Sequence, residues 1–285
     1  MKNKISLLLL LVITFVNYVH SQEGTPWFSV KEVYPQVWVI SDHGADNMYV
    51  IEGKDSSLLV DTGLGVADLS SCVKKITSKP LIVVNTHGHP DHSGANYQFE
   101  KVYMHQEDME AAKNFNTPQA RSGSSGNMLR GNAPAEGEKY KGKIFETQLV
   151  AVNDGYIFDL GGRSIKLMET PGHTPGSICF LDIENKLLFT GDNNNGLVWL
   201  FLQNCKPLHE YLVTLEKQAS LLNEFTTLLP GHGPEMSSDF IKDQVTCVKG
   251  ILDKSLERKP YQSFAGNAMI ATFGKASVAF NPDNL

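Results

Sequence analysis

The segment His87-Gly88-His89-Pro90-Asp91-His92 carries four potential metal ligands within six residues. Neutral imidazoles combined with a carboxylate suit zinc and, less specifically, iron, manganese or nickel. The preceding apolar run Leu81–Val84 is short and β-branched, so it predicts a buried strand, and the Gly and Pro residues after it predict a loop. Because side chains alternate along extended chain, His87 and His89 would project to the same side. The alternative is a polar loop that is rich in histidine by chance. The complete His-x-His-x-Asp-His pattern favours a metal centre over that alternative.

Three further short motifs lie downstream, each with a His or an Asp beside a glycine. They contain His173 in Thr170-Pro171-Gly172-His173, Asp192 in Phe189-Thr190-Gly191-Asp192, and His232 in Leu229-Pro230-Gly231-His232. Upstream, Asp61 closes the apolar run Leu58-Leu59-Val60 and precedes a glycine turn. A carboxylate that directly follows a strand can either cap the turn or orient a nearby ligand.

This ordered series of motifs, from about Val37 to Pro234, resembles the metallo-β-lactamase-fold hydrolases. The resemblance implies an α/β fold, the αββα four-layer sandwich, with two metal ions per chain. It places His87, His89 and His173 on one ion. It places Asp91, His92 and His232 on the other, with Asp192 bridging. The implied cofactor is Zn²⁺, with iron or manganese as alternatives.

The resemblance also implies a hydrolytic mechanism. Two metals that share one water lower its pKa toward neutrality, and the resulting bridging hydroxide would attack a carbonyl carbon. Asp91 is the predicted catalytic residue, since it could orient the nucleophile and carry its proton. Asp61 is predicted to accept a hydrogen bond from a ligand such as His92 and fix its orientation.

The elements that must position these residues follow from hydrophobic periodicity. Short β-rich runs at 36–40, 47–51 and 57–60 predict a strand meander that leads to Asp61. The helical periodicity of Val66–Ile76 then returns the chain to the strand before His87, which completes a βαβ unit. The second half of the chain repeats this succession of strands and helices. Strand-like runs lie between 145 and 189 and at 226–229, and helices are predicted at 208–223 and 240–256.

The domain organisation is predicted as a signal peptide at residues 1–21 followed by one hydrolase domain at 22–285. A basic start and a leucine-rich run of about twelve residues are typical of secretory signals and too short to span a membrane comfortably. Residues 117–145 are rich in Gly, Ser, Asn and Pro and predict a flexible insertion, which would be a substrate flap or a surface loop. Residues 260–285 form a C-terminal extension. Within it, residues 264–280 alternate around Gly274 and resemble a strand pair, at a sheet edge or in the substrate wall.

The net charge of −6, without a basic run, excludes nucleic acid and anionic membrane surfaces as partners. The expected partner is a small-molecule substrate, with membrane contact only through the signal peptide, and a homodimer is left open. The four cysteines form no Cys-x-x-Cys pair, so they are not a zinc knuckle, although export would permit disulfides. His43, in a turn, and Trp199, in an apolar run, are candidate substrate contacts.

Comparison with individual branches of the metallo-β-lactamase-fold hydrolases reduces the number of candidate activities but does not identify a substrate. The histidine-rich β-lactamases lack a bridging aspartate such as Asp192. Glyoxalase II and the lactonases match all seven metal positions, but the basic helical domain of the former and the catalytic Tyr of the latter are missing. Asn193-Asn194-Asn195 stands where that Tyr would be.

The prediction is therefore a secreted or periplasmic dinuclear zinc hydrolase that acts on an ester, lactone, thioester or amide carbonyl. The alternatives are a β-lactamase, a persulfide dioxygenase with a single iron, and a metal-binding scaffold without catalysis. The complete set of seven ligands argues against the scaffold.

Overall fold

The computed structural model describes residues 27–117, 119–120 and 145–285. The predicted signal peptide and most of the predicted insertion at 117–145 lie outside the described residues. Within the described ranges, no helix combines the length and the apolar character that crossing a membrane requires.

The first sheet has seven strands in sequence order, which begin as an antiparallel meander and continue as parallel strands. The strands are β1 Phe28–Tyr34, β2 Val37–Asp42, β3 Asn47–Glu52, β4 Ser57–Val60, β5 Leu81–Val84, β6 Lys101–Met104 and β7 Gln148–Ala151. Helix α1 (Leu69–Ile76) joins β4 to β5, so the predicted βαβ unit is present. Two short helices follow the parallel strands, α2 (Pro90–Ser93) after β5 and α3 (Met109–Phe115) after β6.

The second sheet has six strands in the order β14-β13-β11-β10-β9-β8. Its strands are β8 Ile157–Asp159, β9 Ser164–Glu169, β10 Ile178–Asp182, β11 Leu187–Gly191, β13 Thr227–Pro230 and β14 Met236–Ser237. Helix α4 (Leu208–Ala219) lies between β11 and β13 in the chain, and helix α5 (Phe240–Leu252) follows β14. Both helices pack on this half.

A third sheet has the order β12-β17-β16-β15. Its strands are β12 Leu197–Leu200, β15 Lys259–Ser263, β16 Gly266–Phe273 and β17 Ala276–Phe280. The predicted strand pair at 264–280 is present as β16 and β17. Strand β15 adds a third strand before it, and β12, which follows Asp192, pairs in parallel with β17.

Alternating side chains divide the core into three layers. On β3, Tyr49 and Ile51 face the second sheet, whereas Val50 between them faces the layer that contains α1. On β10, Phe180 lies between the two sheets, whereas Cys179 faces α4 and α5. Both sheets are therefore covered by helices on their outer faces and by each other on their inner faces, which confirms the predicted αββα sandwich.

Helix α4 ends at Ala219 rather than 223. Two other helix boundaries differ from the prediction for local reasons. Helix α1 begins at Leu69 rather than Val66 because the carboxylate of Asp68 caps it by accepting from the Ser71 backbone N–H, 2.9 Å away. Helix α5 ends at Leu252 rather than 256, and Lys254 adopts a φ of +65°, a left-handed conformation that does not continue a helix. All four cysteines are free and buried, so the disulfides that export would permit are not formed.

Candidate metal centre

The predicted ligands all lie at one edge where strands of both sheets end. In the first sheet His87 and His89 follow β5, and Asp91 and His92 lie in α2. In the second sheet β9, β11 and β13 run in the same direction, so the segments after them reach the same edge. Those segments carry His173, Asp192 and His232. A hydrogen bond from the Ile178 N–H to the Thr86 carbonyl oxygen, 2.8 Å, joins the two sheets at this edge.

The first ligand group is His87, His89 and His173, whose coordinating atoms all lie within 4.8 Å of one another. His89 Nδ1 is 2.9 Å from His173 Nε2. The second group is Asp91, His92 and His232, which meets the same distance limit. Asp91 Oδ2 is 3.3 Å from His232 Nε2 and 3.7 Å from His92 Nε2.

Asp192 lies between these two groups. Its Oδ2 is 3.4 Å from His173 Nε2, whereas its Oδ1 is 3.3 Å from His232 Nε2 and 3.4 Å from His92 Nε2. One carboxylate oxygen therefore faces each group. This is the arrangement that a carboxylate bridging two cations requires, and it matches the predicted position of Asp192.

The electrostatics of the first ligand group fit a bound cation. Nε2 of His87 and Nε2 of His92 are buried and have no hydrogen-bond partner. Desolvation lowers the pKa of His87 well below its ordinary value and that of His89 to about 3, so both imidazoles are neutral at pH 7, as metal ligands must be. Buried atoms of this kind normally have a partner, and a cation would supply one for each nitrogen. In the second group burial lowers the pKa of His92 and of His232, but the carboxylate of Asp192 outweighs it and raises both well above the ordinary value.

The carboxylates of the cluster are ionised. Burial would raise the pKa of Asp192, but the nearby His232 and His92 outweigh it and hold that pKa well below its ordinary value. The pKa of Asp91 is likewise lowered, because the effects of His92 and His232 exceed that of burial. The donor set is thus imidazole and carboxylate, which suits zinc or iron.

Asp61 lies where the sequence predicts it, behind His92. Its Oδ2 is 2.9 Å from His92 Nδ1 and accepts from the Thr86 hydroxyl at 2.8 Å, and its Oδ1 accepts from the Thr86 N–H at 2.7 Å. This contact leaves His92 Nε2 to face the cluster. His173 is oriented in the same way, since its Nδ1 lies 2.8 Å from the backbone oxygen of Trp199.

Sequence reasoning missed Asp108, which joins two ligand loops. Its Oδ2 accepts from the Gly88 N–H at 2.8 Å and from the Thr174 hydroxyl at 2.6 Å, and its Oδ1 accepts from the Gly176 N–H at 2.9 Å. The loop between His87 and His89 is thereby held against the loop of His173. A single Asp before α3 carries no local signal of this role.

Asn195 and Asp46 were also missed. Asn195 donates to Asp192 Oδ1 at 2.9 Å and accepts from the His232 N–H at 3.2 Å, so it links two ligands. The Asn193–Asn195 run is therefore part of the centre's support. Asp46 is only 2% exposed, and neither of its carboxylate oxygens has a hydrogen-bond partner. Burial and the neighbouring Asp42 raise the pKa of Asp46 well above its ordinary value.

The two predicted substrate contacts are placed differently. The exposed ring of His43 stacks on Trp27 with ring centroids 4.3 Å apart, while its neighbours Gly44 and Ala45 line the cavity in front of the centre. Trp199 itself lines that cavity. The ligand, catalytic and substrate-contact roles of all these residues stay predictions.

The cavity in front of the centre has a volume of about 1350 Å³. Five of the predicted ligands line it: His89, Asp91, His173, Asp192 and His232. Its walls include the apolar side chains of Phe115, Leu197, Trp199, Leu202, Met236 and Phe264. The centre is therefore open to a substrate of considerable size with apolar parts.

Comparison with known proteins adds the decisive observation. The sequence model of the Metallo-beta-lactamase superfamily matches residues 42–232. The chain belongs to this superfamily. An acyl-coenzyme A thioesterase, MBLAC2 of Bos taurus, is 30% identical over 239 residues, which cover 75% of this chain and 81% of that protein.

Solved structures agree with the superfamily fold. A metallo-beta-lactamase from Pontibacter korlensis superposes with a TM-score of 0.57 at 18% identity, covering 78% of this chain and 99% of that chain. The protein TTHA1623, solved in a di-iron-bound form, superposes with a TM-score of 0.51 at 24% identity, covering 68% and 91%. The predicted family and fold are confirmed, and the protein is a hydrolase of the metallo-β-lactamase superfamily with a candidate metal site.

Proposed function

We propose that this protein is an exported dinuclear zinc hydrolase that cleaves acyl thioesters. The observation that carries the proposal is the position of Asp192, which lines the cavity and whose two carboxylate oxygens face two separate groups of predicted ligands. Bound zinc would lower the pKa of a water molecule and stabilise the negative charge that develops on the carbonyl oxygen.

Side chains and backbone groups of the protein would orient the ligand rings and transfer the proton of the attacking water. Asp61 and the Trp199 carbonyl oxygen fix the rings of His92 and His173. Asp91, whose Oδ2 lies 3.3 Å from His232 Nε2 and which lines the cavity, is the proposed acceptor for the proton that the attacking water loses. The water oxygen bonds to the acyl carbon, the carbon–sulfur bond breaks, and the departing thiolate takes up the proton from Asp91.

Thioesters are favoured over the other carbonyl compounds by the apolar cavity and by the relative named as an acyl-coenzyme A thioesterase. β-Lactam hydrolysis is less well supported, because Asp192 departs from the histidine-rich β-lactamases. A dioxygenase with a single iron would not need both ligand groups.

The charge of the cavity lining indicates which thiol the substrate carries. Among the lining residues that the structure describes, Lys275 is the only lysine or arginine, whereas acidic residues include Glu235, Asp239 and Asp243. Phosphate groups would be repelled by this lining. We therefore propose a thiol carrier without phosphates as the better substrate. Export is proposed from the pattern of residues 1–21.

The test is made on the full mature chain, purified without added metal. Metal content is measured by mass spectrometry, and hydrolysis is measured with a decanoyl thioester of N-acetylcysteamine, decanoyl-coenzyme A, a lactone and nitrocefin. We expect about two zinc ions per chain and chelator-sensitive cleavage of the thioesters, faster for the carrier without phosphates. A single iron, or turnover of nitrocefin alone, would overturn the proposal.

Two histidine variants test whether hydrolysis takes place at the proposed metal centre. His232→Ala should lose about one metal ion and reduce kcat/KM more than about 100-fold, because it removes a proposed ligand rather than an outer contact. His209→Ala is the control, since His209 lies on α4 at the surface, with Nδ1 2.8 Å from the Leu285 backbone oxygen. Equal metal content in the two variants would argue against the assignment of His232.

A further inference from the structure

The third sheet brings the C-terminal strands to the metal centre. Strands β15–β17 lie beyond residues 42–232, the part of the chain that matches the superfamily. They are joined to that part by β12, where Leu197 pairs with Ser277 and Leu200 with Phe280. Strand β12 begins five residues after Asp192. The hairpin between β15 and β16 is thereby placed beside the cavity.

Four aromatic side chains cluster on this sheet, and we call them the aromatic wall: Trp199, Phe201, Tyr261 and Phe264. The ring of Trp199 lies 5.2 Å from that of Phe201 and 5.5 Å from that of Phe264. Phe201 and Tyr261 are 6.1 Å apart, and the Trp199 indole N–H donates to the Tyr261 hydroxyl at 3.2 Å. These contacts fix the orientation of the wall.

The wall is continuous with the proposed site of chemistry. The backbone oxygen of Trp199 lies 2.8 Å from Nδ1 of the ligand His173, and the side chain of Trp199 lines the cavity. Phe264, at the tip of the hairpin, also lines the cavity and is 58% exposed. A large apolar side chain that packs on Trp199 and is open to a cavity is suited to contact with an apolar ligand.

We propose that Trp199 and Phe264 of the aromatic wall form the subsite for the acyl chain, with Phe201 and Tyr261 holding Trp199 in place, and that Phe264 sets the preference for long chains. This rests on the proposed thioesterase function. An acyl carbon at the metal centre would leave its alkyl chain to extend along Trp199 toward Phe264. Since the gain from burying one methylene is worth roughly a fourfold change in affinity, kcat/KM should rise steeply with chain length until the wall is covered.

The experiment compares acetyl, hexanoyl and dodecanoyl thioesters of one thiol, N-acetylcysteamine, on the full zinc-loaded protein. The readout is the ratio of kcat/KM for dodecanoyl to that for acetyl. Phe264→Ala should lower this ratio roughly tenfold, and Phe264→Leu should restore most of it. Phe273→Ala is the matched control, because Phe273 lies at the other end of β16, is 39% exposed and is not among the cavity residues.

A binding measurement tests the acyl-chain subsite independently of the proposed thioesterase activity. The dodecyl thioether of N-acetylcysteamine cannot be hydrolysed, and its affinity is measured by calorimetry for the wild type and both alanine variants. Roughly tenfold weaker binding by Phe264→Ala alone supports the wall even if no thioester is cleaved. Equal affinities, or a kcat/KM that does not change with chain length while thioesters are cleaved, would overturn it.

Discussion

Asp61 lies outside the predicted ligand set but contacts the segment that carries it. Its carboxylate accepts from both polar groups of Thr86 and contacts His92 Nδ1, so it fixes the start of the ligand loop and the ring that the loop carries. With Nδ1 engaged, His92 keeps the Nε2 lone pair directed at the cluster.

Asp61→Asn should therefore weaken metal binding without removing a ligand. The amide can satisfy only part of this network, and loss of such outer partners typically reduces metal affinity about 10–100-fold. Competition with a chromogenic chelator measures the affinity for zinc. Asp283→Asn, at an exposed position in the tail, should bind zinc as the wild type does. Equal affinities of the two variants would mean that Asp61 only caps its turn.

Asp46 is predicted to make stability depend on pH. Its folded pKa lies well above that of the unfolded chain, mainly because it is buried. The wild type should therefore lose stability as the pH rises from about 4 toward that folded pKa, at up to about 1.4 kcal/mol per pH unit. Asp46→Asn cannot ionise, so its free energy of unfolding should exceed the wild-type value by a margin that grows with pH.

This margin is measured by urea unfolding of chelator-treated protein between pH 4 and pH 8. The exposed variant Asp283→Asn should show no such trend relative to the wild type. A margin for Asp46→Asn that is constant over this range would contradict the raised pKa of Asp46.

At the scale of elements, the turn after β13 is built around a position that has no room for a side chain. A Cβ on Gly231 would lie 2.6 Å from Asp192 Oδ1 and 2.6 Å from a ring carbon of His92. The backbone cannot retreat, because the Gly231 N–H donates to Gly191 at 2.8 Å and its carbonyl oxygen accepts from the Asn47 N–H at 2.7 Å.

Gly231→Ala should consequently displace Asp192 or His92 and lower the metal content of the purified protein to about one ion per chain or less. Mass spectrometry of the native protein reports the number of bound ions. Gly196→Ala is the control, since a Cβ there would meet nothing within 4 Å. Full metal content in the Gly231 variant would mean that this turn adjusts freely.

The strands and helices also show how much of the centre the amino-acid sequence predicts. Each ligand motif adjoins a short apolar run, and the carboxyl ends of parallel strands meet at one edge, so the convergence of His87, Asp192 and His232 follows from local pattern. The supports of the centre do not follow, because they join distant segments. Asp108 contacts Gly176, 68 residues away, and β12 pairs with β17 across a still longer separation. Local periodicity contains no information on such partners.

For the whole molecule, the centre is a link between the two halves of the sandwich. The first sheet supplies the ligands after β5, and the second sheet supplies those after β9, β11 and β13. Direct contacts between the sheets at this edge include the Ile178–Thr86 hydrogen bond and the Asn47–Gly231 hydrogen bond. A cation held by both sheets would stabilise only the state in which they are packed together.

Removal of metal should therefore lower the stability of the entire fold. A ligand that binds the folded state alone, at about a thousandfold excess over its Kd, contributes roughly 4 kcal/mol. Denaturant unfolding with and without a chelator measures this difference, and added zinc should restore it. In Asp192→Ala, which lacks the carboxylate between the two ligand groups, the chelator should have a much smaller effect. If the chelator abolished hydrolysis but left the unfolding curve of the wild type unchanged, the centre would serve catalysis without joining the two sheets.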